Sequence, residues 1–140
     1  MVCLNSNCFT LKIVQMTTLN SESTMVDTSR DSIVIAKVFE TLVGGRSLDV
    51  TGFAPVVIKA GHVVIKETAT GVYKPMPIAD AAYAALPSGH TIEGVVMAST
   101  MTNRAMVGIM VRGTINEVAS PYPVTTAIKS ALPLIRFTQD

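Results

Sequence analysis

Gly94-Val-Val-Met-Ala-Ser-Thr-Met-Thr-Asn-Arg-Ala-Met-Val-Gly-Ile-Met-Val-Arg-Gly-Thr-Ile-Asn-Glu-Val118 consists of two apolar runs joined by a small polar link. The second run, Ala105 to Ile115, is rich in Val, Ile, Met and Gly and short between its polar brackets. That composition suits a strand buried on both faces better than a surface helix. Gly108 and Gly113 would each cost a helix about 1 kcal/mol relative to Ala, whereas in a strand they mark a bulge, a bend or a close backbone approach. With Thr102-Asn103-Arg104 as the turn, the stretch predicts the central hairpin of a β domain, with Val107, Ile109 and Val111 in the core.

The flanking sequence agrees with a β domain. From Arg46 onward, turn signals recur about every ten residues, the spacing of a small β-barrel or β-sandwich rather than of βαβ units. Val56 to Lys66 reads as two strands around Ala60-Gly61, and Thr68-Ala-Thr-Gly71 turns the chain into Val72-Tyr-Lys74. Pro75 and Pro77 stop that strand. Asp80 is placed to cap a short helix from Ala81 to Leu86, ended by Pro87. Thr125 or Thr126 caps a second helix through Leu132, whose apolar face is Ala127, Ile128, Ala131 and Leu132. Leu134 to Thr138 returns as the last strand. The expected fold is mainly β, a small barrel or sandwich-like domain with one or two short helices, preceded by an extended N-terminal arm.

Every Gly and Pro lies at or after Gly44, and Met16 to Ser32 is rich in Ser, Thr, Asn and Asp. This divides the chain into a polar, flexible arm (1–31), a strand-like attachment segment (32–45) and a β-rich domain (46–140), with 1–43 expected to be dispensable for folding. Met16 and Met25 each open a more ordinary polar stretch and are alternative starts to Met1. Within Ser32 to Val43, the apolar residues Ile33, Val34, Ile35, Val38 and Phe39 form a run that needs a strand to pair with, and they are the candidates for contact with a partner.

A chain of 140 residues accommodates one domain and an appendage. Its net charge of +1, with charges scattered singly, offers no basic stripe for nucleic acid. The mean hydropathy of +0.45 is high, yet no stretch reaches the ~18 apolar residues of a membrane span. Another subunit is therefore expected to cover the excess apolar surface. Met97, Met101, Met106 and Met110 cluster on the central hairpin and serve either as core filling or as a subunit seam. Cys3 and Cys8 lie too close to the start to brace the domain and have no further ligands for a metal nearby. The first residues lack the basic region and cleavage site of a secretory signal, so synthesis in the cytoplasm is expected.

No catalytic set emerges. His62 and His90 sit at odd offsets from Glu67 and Glu93, on opposite strand faces, and read as surface or edge histidines. Asp49 and Asp80 read as turn or cap residues. Val43-Gly-Gly-Arg-Ser lacks the Lys-Ser/Thr ending and following helix of a phosphate cradle. No cofactor, metal or enzyme activity is expected.

The succession Gly45-Arg-Ser-Leu-Asp-Val50, Ile58-Lys-Ala-Gly-His-Val-Val64, Gly71-Val-Tyr-Lys-Pro75, Gly94-Val-Val, Met110-Val-Arg-Gly-Thr-Ile-Asn-Glu117 and Ala131-Leu-Pro-Leu-Ile-Arg-Phe137 resembles the head decoration and head fiber proteins of tailed bacteriophages. The resemblance spans roughly Ser32 to the C-terminus. It implies a structural auxiliary protein of the virion, made in the host cytoplasm and bound to the major capsid protein on the outside of the head, as a homotrimer or as the base of a head fiber. The scattered charges and the lack of a membrane-length apolar run add the expectation of no direct contact with nucleic acid or membrane. The alternative is a carbohydrate- or ligand-binding β module, although such a module usually displays exposed aromatics, and this chain has no Trp and only Tyr73, Tyr83 and Tyr122.

Overall fold

Three apolar runs, Val63-Val64-Ile65, Val95-Val96 and Ile109-Met110, alternate between two cores on opposite faces of one sheet. Val63, Ile65, Val95 and Met110 enter the first core, while Val64, Val96 and Ile109 enter the second. A strand with apolar residues on both sides belongs in the middle of a layered domain, where neither face meets water. The computed structural model describes residues 25–139. Most of the expected arm, with Cys3 and Cys8, therefore lies outside the described residues.

The described chain is mainly β with two short helices. Helix α1 (Asp31–Val34) leads into β1 (Ile35–Thr41), followed by β2 (Arg46–Ser47), β3 (Val57–Ile58), β4 (Val63–Glu67), β5 (Tyr73–Pro75), β6 (Ile78–Ala79) and β7 (Ala82–Tyr83). Next come β8 (His90–Val96), β9 (Thr100–Met101), a 3-10 turn (Thr102–Arg104), β10 (Met106–Val107), β11 (Ile109–Asn116), α2 (Thr126–Ala131) and β12 (Ile135–Thr138). The main sheet runs β1-β11-β8-β4-β5, and β12 adds parallel to β11. Strand β11 is the hub. Strand β1 takes one of its edges, and β8 and β12 share the other, at Ile109–Met110 and Gly113–Asn116. The sheet is open, with β1 and β5 as its end strands.

One face of the sheet is covered by Val34 of α1, Met76, Tyr83 of the β6–β7 hairpin, and Ile128 and Leu132 of α2 and its end. On the other face Leu48, Ile58 and Val107, carried by the short β2–β10 and β3–β9 pairs and the turns beside them, pack over Val64, Val96 and Ile109. Gly113 shows why a glycine stands in the hub: a Cβ there would run into the Lys37 carbonyl oxygen and the Met110 sulfur, so β1 can lie against β11 only if that atom is missing.

Several sequence expectations hold. Thr125 caps α2, its hydroxyl accepting from the Ile128 N–H, and β12 follows where a last strand was expected. The β4–β5 hairpin turns at Thr68–Gly71, with Gly71 at φ 73°. Val107 and Ile109 are buried, but Val111 is only half-buried because the β1–β11 register slips between Met110 and Arg112.

Other expectations are corrected. Strands β8 and β11 do form a hairpin, but its link is the whole Met97–Gly108 excursion, in which β9 and β10 leave to pair with β3 and β2. Strands β3 and β4 do not pair with each other. The Ala60-Gly61 turn sends them to different sheets. The helix expected over Ala81–Leu86 is instead the β6–β7 hairpin, because Asp80 adopts φ 55° in a tight turn and the Tyr83 hydroxyl accepts from the Val63 N–H at 3.1 Å. Finally, the segment 32–45 is no separate link: β1 is part of the same sheet as the rest of the domain.

Candidate functional site

The polar stretch before β1 is tied down by one carboxylate. Asp31 accepts from the Ser99 N–H at 2.7 Å and from the Ser99 hydroxyl at 2.6 Å, and that hydroxyl oxygen in turn accepts from the Ala60 N–H at 3.1 Å. Val34, at 3% exposure, closes the anchor by packing where Gly61 has no side chain. Ile35 is half-buried opposite Ile115. Of the five contact candidates, Val34 is therefore corrected to a core residue, since a side chain so fully enclosed cannot touch a partner.

The rest of β1 is open. It pairs with β11 along one edge, and among the described residues its other edge has no ladder partner. Val38 on β1 is 38% exposed and Phe39 60%, and Ile33 in the preceding helix 53%, so exposed apolar side chains accompany the strand edge that has no ladder partner among the described residues. Register shifts on both sides of Glu40 and between Ile35 and Lys37 break the ladder into short pieces, a device that protects an edge from indiscriminate pairing. The Phe39 ring lies under the Lys37 ammonium at 5.2 Å and the Arg112 guanidinium at 5.9 Å, both to the ring centroid, so an exposed aromatic is flanked by two cations.

The four methionines are not brought to a common seam. Met110 is fully buried in the first core and cannot meet another subunit, which corrects its assignment as an interface residue. Met97 and Met101 are half-buried in the excursion, and Met106 is 67% exposed on β10. Sequence reasoning missed two further exposed apolar side chains, Val43 and Val56. Val43 has its carbonyl held by the Arg46 guanidinium, and Val56 has its carbonyl bonded to Thr102.

His62 is also corrected. It is 1% exposed, with Phe53, Tyr83 and Tyr122 packed edge-on at 5.3–5.6 Å between ring centroids. Its Nε2 lies 3.0 Å from the Met76 carbonyl oxygen, which can only accept, so Nε2 carries the proton. Burial lowers its pKa to about 4, against the opposing pull of that carbonyl, and the ring is neutral at pH 7. Burial likewise pushes the Tyr83 phenol upward. The available signal was the position of His62 inside the apolar run Ala60–Ile65. His90 sits at the surface, its Nδ1 3.1 Å from the Ser88 carbonyl oxygen. Asp49 has a turn role, accepting from the Thr51 N–H and hydroxyl; these bonds hold its pKa below the usual carboxylate range. Asp80 occupies the β6–β7 turn. Among the described residues no three His, Cys, Asp or Glu converge as a metal site, and no helix is long and apolar enough to cross a membrane.

A separate cleft of about 550 Å³ lies between the β7–β8 segment, β8 and α2, lined by Tyr83, Leu86, His90, Ile92, Ala127 and Ala131 among others. The apolar face expected for α2 is thus only half used: Ile128 and Leu132 are buried, while Ala127 and Ala131 remain exposed. No protein-family model, curated protein or solved structure matches the chain.

Proposed function

We propose that the chain is a structural auxiliary protein of a bacteriophage head, bound to the major capsid protein on the outer surface through β1. The observation that carries this reading is the edge of β1 that has no ladder partner among the described residues, with Phe39 exposed beside it. A strand edge offers main-chain hydrogen bonds to any extended partner segment, and an aromatic anchor next to it adds apolar cover. The resemblance of the motifs from Gly45 to Phe137 to head decoration proteins supports the same assignment. A homotrimer belongs to the same reading, in which the exposed side chains of Val43, Val56 and Met106, at 90%, 61% and 67%, are candidates for cover by a neighbouring copy. Three β1 edges held near a repeating shell then bind with avidity.

A second reading, a ligand-binding module, is favoured by the cleft beside α2, whose volume falls in the small-molecule range. Its apolar walls suit an apolar ligand rather than a carbohydrate. The first reading is preferred because it uses the exposed edge, which the second leaves without a role.

Co-sedimentation with capsids of the encoding phage, stripped of this chain, tests the proposal. The wild-type chain is expected to bind the capsids. Phe39→Asp is expected to bind about 30-fold more weakly, the loss of an anchor worth about 2 kcal/mol, with its melting temperature kept because Phe39 lies at the surface. Equal binding by Phe39→Asp would move the attachment site away from β1. No binding by the wild-type chain would overturn the function.

A further inference from the structure

Directly opposed residues in neighbouring strands share a face of the sheet. Lys37 stands opposite Thr114 and Thr114 opposite Arg136, a row across β1, β11 and β12; Glu40 stands opposite Arg112 in a neighbouring row. This is the face away from the first core, since Gly113 and Ile115, between and beside these positions, align with Ile135 and Phe137 on the core side. The short strands that cover this face elsewhere pack over Val64, Val96 and Ile109 and leave Lys37, Arg112 and Arg136 exposed. The open face therefore carries three cations and Phe39 against the single carboxylate of Glu40. Among the described residues the ion pairs are Lys74 with Asp49 and Lys129 with Glu117, so none of the three cations is in one.

We propose that the partner segment received by β1 is an extended acidic strand of a protein, in which apolar residues alternate with Asp or Glu. This rests on the reading of β1 as the attachment edge and adds the chemistry of what attaches. A strand added at the usual spacing of about 4.8 Å lies directly beside Lys37 and Phe39. Arg112 is one strand further in, within reach of a long side chain, and Arg136 contributes to the field from the far side of β11. Carboxylates on the open face of the incoming strand meet these cations, and the apolar residues between them line up with Val38 on the other face.

Because the register shifts leave only short straight pieces of ladder, main-chain bonding alone selects weakly and charge must supply the selectivity. Single-stranded nucleic acid fits less well, because it needs successive aromatic platforms and this face presents only Phe39, beside the repelling carboxylate of Glu40.

The test titrates the full chain, isotopically labelled, with a soluble peptide of four Val-Glu repeats, a Val-Lys peptide of the same length and an oligouridine. The Val-Glu peptide is expected to bind, to shift the amides of residues 36–41, and to weaken between about 0.1 M and 0.5 M salt. The Val-Lys peptide and the oligouridine are expected to bind at least about tenfold more weakly. Lys37→Glu with Arg112→Glu is expected to weaken the Val-Glu peptide about tenfold, from two charge contacts of ordinary size, and Glu40→Lys to strengthen it. Equal affinity for the two peptides, tighter binding of the oligouridine, or no response to the substitutions in folded variants overturns the inference. Capsid co-sedimentation separates the two proposals. Capsid binding that ignores these substitutions leaves the function standing and sinks the acidic strand, whereas peptide selectivity without capsid binding does the reverse.

Discussion

A chain lacking residues 1–43 is expected to lose its folded state. The longer deletion removes β1 and uncovers one whole edge of β11, the hub of the sheet. It also takes Val34 from the first core, Ile35 from opposite Ile115, and the Asp31 carboxylate that holds Ser99 and through it the Ala60 N–H. Burying one such side chain fully stabilises by about 1.5–3 kcal/mol, and a small domain has only about 5–15 kcal/mol in total. Losing several at once, with a central strand turned into an edge, exceeds what the remainder can supply. Circular dichroism during thermal melting checks this. A cooperative transition near that of the full chain after deletion to residue 43 would show that β1 is an accessory to a domain that stands without it.

Stability is expected to fall by about 3 kcal/mol as the pH drops from 6.5 to 4, through His62 alone. The folded ring titrates at about 4 and an unfolded one at 6.5, because the enclosed site between Phe53, Tyr83 and Tyr122 disfavours the charged form. Between those values the unfolded chain binds a proton that the folded chain refuses, so stability rises with pH across the window and this contribution is flat above and below it. The lowered carboxylates Asp27, Asp49, Glu67 and Glu117 act below their ordinary values of 3.8 and 4.5, mostly outside that window. Urea denaturation at pH 6.5 and pH 4.5, an interval over which about 2 kcal/mol of this fall is expected, compares the wild-type chain with His62→Gln, whose amide can still donate to the Met76 carbonyl. The variant is expected to be much less sensitive to pH over this interval. An equally steep dependence in His62→Gln would place the titrating group elsewhere.

The features legible in the sequence are the local ones. Thr125 announces α2 because a cap acts within three residues, and Gly71 announces the β4–β5 turn because positive φ is a property of one residue. The two-faced burial of Ile109 and Met110 was legible because apolar residues on both sides of a strand need no knowledge of the partner. What failed depended on distant neighbours. Strands β3 and β4 look like a hairpin until β9 and β8 compete for them, and Asp80 looks like a helix cap until the Tyr83 hydroxyl reaches the Val63 N–H.

The candidate site divides in the same way. Its apolar run from Ile33 to Phe39 was visible as a segment in need of a partner, although Ile33 and Val34 fold as the helix before β1. That β11 takes one edge and leaves the other, that Val34 points inward, and that Lys37, Arg112 and Arg136 share a face all follow from pairings between residues far apart in the chain.

Whether the domain meets a phage head, as proposed, is tested by electron-microscopic reconstruction of phage particles assembled with and without this chain. The expected result is exterior density that disappears with the chain, fits the β domain, and brings β1 with Phe39 to within about 5 Å of an extended segment of the shell. Identical reconstructions of the two particles, or density in which β1 faces solvent while another surface meets the shell, would contradict it.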